Sequence, residues 1–141
     1  MEKDKQKILD FIKKKKLGVI STINQEGKPE SAVVAFSETD KLELIFGTFN
    51  TTRKYKNLKA NQNISFVIGW DEEEKITIQY EGLARDVKDE EFEECRTVHL
   101  NKNPSSKKFA FGKEQRYFKI TPRWIRYSDL SLKEIFEVVF D

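Results

Sequence analysis

The stretch IFGTFNTTRKYKNLKANQNISFVIGW, residues 45–70, reads as strand, turn, helix and strand, and it decides how the rest of the chain is arranged. Leu42, Leu44 and Phe46 alternate with Glu43, Ile45 and Gly47, so the chain enters the stretch extended, with one apolar face. The period then changes. Tyr55 and Leu58 recur at helical spacing, behind the good N-cap residues Asn50, Thr51 and Thr52. A helix start carries open amides and partial positive charge, which suit an anion. Two hydroxyls, the Arg53 guanidinium and the Lys54 ammonium add donors of three geometries, a set that a phosphate monoester can accept together. The same residues also admit a plainer reading, in which Asn50 or Thr51 caps the helix and the two cations are solvated.

The chain has 141 residues, a length that predicts one domain with a real core. With 26 Lys and Arg against 24 Asp and Glu, the net charge of +2 argues against a dedicated nucleic-acid binder. The lone cysteine, Cys95, and lone histidine, His99, give neither a disulfide framework nor a familiar zinc site, and no metal site is predicted. A reducing cytoplasm fits that usage. Residues 1–16 lack a continuous apolar segment and no later run approaches a membrane span, so neither export nor membrane insertion is expected.

Ile8, Leu9, Phe11 and Ile12 describe an amphipathic first helix ending near Gly18, and Lys13 to Lys16 read as solvated cations at its C-terminus. Residues 17–23 and 31–36 are strands joined by the polar turn at residues 24–29. Both faces of Ser31-Ala32-Val33-Val34-Ala35-Phe36 are mostly apolar, so something must cover each, the second cover being a ligand or a partner subunit. Residues 71–75 read most simply as a solvated acidic turn, a metal site being the alternative reading of its clustered carboxylates. From Ile76 to Val87 the alternation is long, with Gly82 and Ala84 where the strand bends, and Thr77 and Gln79 on a polar face able to hydrogen-bond a flat heterocycle or simply to meet solvent. Residues 89–100 read as a helix capped by Asp89. Its Phe92, Cys95 and His99 share a stripe that reads as core, the competing nucleophile–base reading lacking any orienting third residue. Residues 101–115 look loop-like, and residues 116–127 form a strand in which Pro122 should mark an edge or corner and Trp124 is half-buried or packs on a ring. The tail from Leu132 to Phe140 is apolar enough to dock.

Six strands, mostly hairpin-connected, with intervening helices, predict an α+β fold, an antiparallel barrel flanked by helices. The sequence resembles the pyridoxamine 5'-phosphate oxidase-like family of FMN-binding split barrels over most of the chain, most strongly from Leu17 to Val87. That resemblance implies one domain over residues 1–141, a six-stranded antiparallel split β-barrel of Greek-key type. The specific block is a hydroxyl residue, two basic residues, an Asn-Leu and a small-Asn turn: Thr52, Arg53, Lys54, Asn57, Leu58, Ala60 and Asn61. The resemblance implies FMN as cofactor, its phosphate held by Arg53 and Lys54 with help from Thr51 or Thr52. It also implies an isoalloxazine lying along Ser31, Ala32, Val33 and Val34 and approached by the backbone of Gly47 and Thr48. Thr77 and Gln79 face the ring from the long strand, and Trp124 contacts it, from the second subunit of a homodimer with cofactor sites at the interface. The family's namesake carries C-terminal substrate groups of Arg-Leu-His type, which this chain lacks, and the chain is similar instead to the short, general-stress-protein-like members. Pyridoxamine phosphate oxidation is therefore not expected, and no catalytic residue is assigned. The functional expectation is a flavin-dependent oxidoreductase of unknown substrate. The alternatives are a non-catalytic protein that binds flavin, another planar cofactor or haem, and a small barrel binding nucleic acid through Lys13 to Lys16.

Overall fold

The computed structural model describes residues 2–141. The chain runs α1 (Glu2–Lys13), β1 (Leu17–Ile23), β2 (Pro29–Ala35), β3 (Ser37–Glu38), β4 (Leu44–Phe49), α2 (Arg53–Ala60), β5 (Asn63–Ile68), β6 (Ile76–Asp86), α3 (Asp89–Lys102), a 3-10 turn (Pro104–Phe109), β7 (Gln115–Asp129) and β8 (Glu134–Val139). The strands form one antiparallel sheet in the order β2-β1-β5-β6-β7-β4-β3, with β8 also on β7. The α+β split barrel stands, with eight strands where six were expected. The added ones are the two-residue β3 and the docked tail β8.

Side-chain alternation curls the sheet around one apolar core. Ile20, Val34, Phe46, Phe66, Tyr80 and Phe118 point inward, and Phe46 stacks on Phe118 with ring centroids 5.5 Å apart. Tyr80 enters the core because its hydroxyl donates to the carbonyls of Leu42, at 2.8 Å, and Ile120, at 3.2 Å. The inner face of α1, formed by Ile8, Leu9, Phe11 and Ile12, is buried in that core. That helix stops at Lys13 rather than near Gly18, and Lys14 to Lys16 lead into β1, with the Lys16 carbonyl taken by the Phe36 amide.

A second apolar cluster lies on the other side of β4 and β7, where α3 covers Ile45 and Tyr117 with Cys95 and Phe92. The first helical residue, Asp89, does not cap α3; the cap position is Lys88, which makes no side-chain cap bond. Gly47 explains itself here, since a Cβ would sit 2.5 Å from Gln115 Nε2 and 2.9 Å from the Tyr117 ring. Pro122 stands at a local edge of β7, as expected: on that side the pairing with β4 ends at Ile120 and the pairing with β8 begins at Trp124. It stands within β7 opposite Gly82, where a register shift after Glu81 forms a bulge, so the missing amide breaks the ladder where the ladder is already interrupted.

The sheet does not close. β3 covers β4 only at Leu44 and Ile45, so Phe46 to Phe49 present an unpaired strand edge, and β2 likewise has a neighbour on one side only. These two edges pass close to each other with no ladder between them, and α2 follows directly after β4 at one end of the split.

Candidate functional site

The site is built where β4 turns into α2. Thr52 is the N-cap: its hydroxyl accepts from the Tyr55 amide at 3.2 Å and donates to the Phe49 carbonyl at 3.1 Å. The Thr48 hydroxyl lies 2.8 Å from it and takes up its remaining capacity. Thr52 is therefore committed to building the turn, and the solvent-facing hydroxyl of the pair is that of exposed Thr51. The first amides of α2, those of Arg53 and Lys54, lie beyond the reach of intrahelical bonding and stay open.

Two cations flank those amides in different settings. The Arg53 side chain is 77% exposed and its Nη1 lies 3.3 Å from Glu30 Oε2. Lys54 is half-buried, and among the described residues its ammonium has neither an ion pair nor a hydrogen bond. Its pKa is lowered, first because burial strips water from the charge and second because Arg53 repels it. A partly buried ammonium without a carboxylate, near the Arg53 charge in the first turn of α2, is a position that an anion stabilises.

Asn57 fixes α2 to the sheet. It is buried, and its amide donates to Thr22 Oγ1 on β1 and to Glu30 Oε1 on β2, both at 2.9 Å. On the far side, Tyr55 donates to Asp86 at 3.2 Å, and Lys59 and Arg116 pair with the same carboxylate. Asn50, Thr51, Thr52, Arg53, Lys56 and Lys59 line an open depression of about 560 Å³ that contains three cations and no carboxylate. Glu30 and Asp86 were missed in the sequence, because a single carboxylate in an alternating strand carries no signal until its donors are known.

The remaining predicted residues fall into two groups. Ser31, Ala32, Val33 and Val34 continue β2 directly from Glu30 along the split, with Val34 in the core and Val33 66% exposed on the outer face, so the strand is apolar on both sides as expected. Gly47 and Thr48 lie on the unpaired edge of β4. Thr77, Gln79 and Trp124 lie elsewhere, on the outer face of the sheet. Thr77 is nine residues up β6 from Asp86, roughly 30 Å from α2 along the strand. Gln79 pairs with Val67 on one side and Arg126 on the other, and Trp124 stands opposite Glu81 with its indole N–H donating to Glu137 at 3.0 Å. They do not join Arg53 and Lys54 within one chain.

His99 and Cys95 belong to the core. Burial, then the Lys102 charge, lowers the His99 pKa to about 4 against a bond to the Ile45 backbone, and its Nδ1 lies 3.2 Å from Ser37 Oγ. Burial raises the Cys95 thiol to about 11, which removes it as a nucleophile. The described residues hold no cluster of three or more metal-ligating side chains, and no helix among them is long and apolar enough to cross a membrane.

Several solved structures share this architecture. General Stress Protein 26 from Bacillus anthracis is 27% identical, with a TM-score of 0.74 over 95% of this chain and 98% of that one. The haem storage protein HutZ from Vibrio cholerae is 15% identical, with a TM-score of 0.74 over 95% and 92% of the two chains. A haem-binding protein from Mycobacterium smegmatis is 14% identical with a TM-score of 0.78; the match covers 89% of this chain, which spans only about half, 53%, of that one. At those identities the two haem proteins establish the fold alone. No curated protein sequence matches the chain. The sequence profile described as pyridoxamine 5'-phosphate oxidase matches residues 4–129, and with that span the chain belongs to the pyridoxamine 5'-phosphate oxidase family.

Proposed function

We propose that the protein binds FMN in the split between β2 and β4 and serves as a flavin-dependent oxidoreductase. The observation that carries this reading is Lys54, a half-buried ammonium without an anion, next to Arg53, the Thr51 hydroxyl and the open amides of α2. The phosphate is held there. Ser31 to Val34 and the unpaired edge at Gly47 and Thr48 run alongside, and their backbone groups meet the polar edge of the isoalloxazine. When bound, the flavin supplies hydride and electron chemistry. The chain's own part is to bind, orient and shield the ring.

The outer sheet face supports the homodimer in the same reading. Val33, Val19 and Val67 form one cross-strand row, and Leu17 and Trp70 are exposed beside it, an apolar patch suited to a second copy. Thr77, Gln79 and Trp124 share that face and reach a flavin only across such an interface.

A second reading keeps the site and drops the turnover, making the protein a flavin-binding or haem-binding module. Histidine ligation of haem finds no support, because the single histidine, His99, is 3% exposed and tied to Ser37.

FMN titration followed by the flavin absorption spectrum tests the proposal, with Arg53→Ala as the control. Each charge-assisted contact contributes about 1.5–3 kcal/mol, so the variant should bind FMN at least about tenfold more weakly. Unchanged affinity would remove the phosphate assignment. Bound flavin that reduced nicotinamide nucleotides do not reduce would favour binding without turnover.

A further inference from the structure

Among the described residues Glu30 is the carboxylate that pairs with the proposed phosphate donors, and its placement does not depend on them. Its Oε1 accepts from Asn57 Nδ2 at 2.9 Å and its Oε2 from Asn24 Nδ2 at 3.1 Å. Both amides are themselves fixed. Asn57 is buried and also bonded to Thr22, and Asn24 holds the β1–β2 turn by accepting from the amides of Glu26 and Lys28. Arg53 is the exposed member: it is 77% exposed, against 19% for Glu30, and reaches the carboxylate with one nitrogen at 3.3 Å. When the guanidinium turns to a phosphate, Glu30 stays in place, held by two neutral donors that leave its charge uncompensated.

We infer that Glu30 is a charge-selecting residue at the cofactor's phosphate end, a fixed carboxylate that occupies Arg53 in the free protein and opposes a phosphate dianion in the bound one. The inference rests on the FMN reading above. The bonds from Asn57 and Asn24, with the Arg53 charge in support, hold the carboxyl below the ordinary Glu range, so it is ionised at neutral pH. A like charge this close to a dianion weakens its binding, whereas a ligand with the same ring and ribityl chain and no phosphate is not affected. The consequence is a site that holds FMN less tightly, and discriminates less between FMN and riboflavin, than its cations alone would dictate. This is a charge set suited to a cofactor that exchanges.

The test compares FMN and riboflavin affinities of wild type, Glu30→Gln, Glu30→Ala and Arg53→Ala by flavin fluorescence quenching, after circular dichroism melts establish that each variant is folded. Gln keeps the shape and loses the charge. Both Glu30 variants should bind FMN about tenfold more tightly, with riboflavin affinity changed by less than about twofold. Glu30 variants that bind FMN equally or more weakly, while Arg53→Ala still loses FMN, would overturn the inference and leave the phosphate site standing, since Glu30 would then be positioning Arg53. Equal FMN binding by wild type and Arg53→Ala, or none by any protein, would overturn the site reading itself and the inference with it.

Discussion

Replacing His99 by Gln should flatten the acid sensitivity of this protein. His99 sits on α3 under the sheet, with its ring 5.8 Å from Tyr117, Nδ1 beside Ser37 Oγ, and the Lys102 ammonium one turn along the helix. Burial and that charge put its pKa at about 4, against 6.5 for the unconstrained side chain. The folded state thus holds the ring neutral while the unfolded chain takes up a proton. Stability from the neutral ring is complete above the unfolded value and is lost as pH falls from about 6.5 toward 4. Each unit in that window costs about 1.4 kcal/mol, which gives about 2–3 kcal/mol between pH 7 and about 4.5. Urea denaturation of wild type and His99→Gln at both pH values measures it. Carboxylates with lowered pKa, Glu30 and Glu91 among them, also lose stability on acidification, but they do so in both proteins. The variant should start less stable at pH 7, having lost packing against Tyr117, and should lose about 2 kcal/mol less than wild type on acidification. An equal loss in the two proteins would show that His99 takes up its proton in the folded state, and the argument against histidine ligation of haem would fall with it.

Lys54→Met separates binding from stability. It removes a desolvated, unpaired charge, so flavin-free stability should hold or rise in urea titrations, while FMN affinity falls about 10- to 150-fold through the lost charge-assisted contact. A variant that is destabilised and still binds FMN like wild type contradicts the assignment. Tyr80→Phe removes the hydroxyl that bridges the Leu42 and Ile120 carbonyls in the core, and the two orphaned acceptors should cost about 1–3 kcal/mol in the same titration, with no change in FMN affinity measured after refolding.

Local physics made a large part of this protein legible in one dimension. The change from alternating to helical period at residues 45–60 fixed a strand and a helix, and Thr52 caps that helix because a hydroxyl at that point satisfies an amide that nothing else can reach. The two apolar faces of β2 foretold that one would be core and the other would need a cover, and the structure buries Val34 and exposes Val33. The period of Phe92, Cys95 and His99 likewise placed Cys95 and His99 in the core. Other outcomes depended on residues far apart in the chain. Pro122 fits inside β7 because its missing amide falls between the β4 and β8 ladders, beside the bulge that Arg123 makes opposite Glu81 and Gly82 of β6, and β8 exists because residues 134–139 find the free side of β7. Whether Thr52 or Thr51 is free to meet a ligand depended on the position of the Thr48 hydroxyl. Which residues could attract a phosphate was readable in one dimension, since charge and hydroxyl content are local properties. Tertiary structure alone decided that Lys54 stands desolvated without a partner, that Glu30 claims Arg53, and that Thr77, Gln79 and Trp124 lie apart on the outer face, because burial and pairing depend on which strands the fold sets side by side.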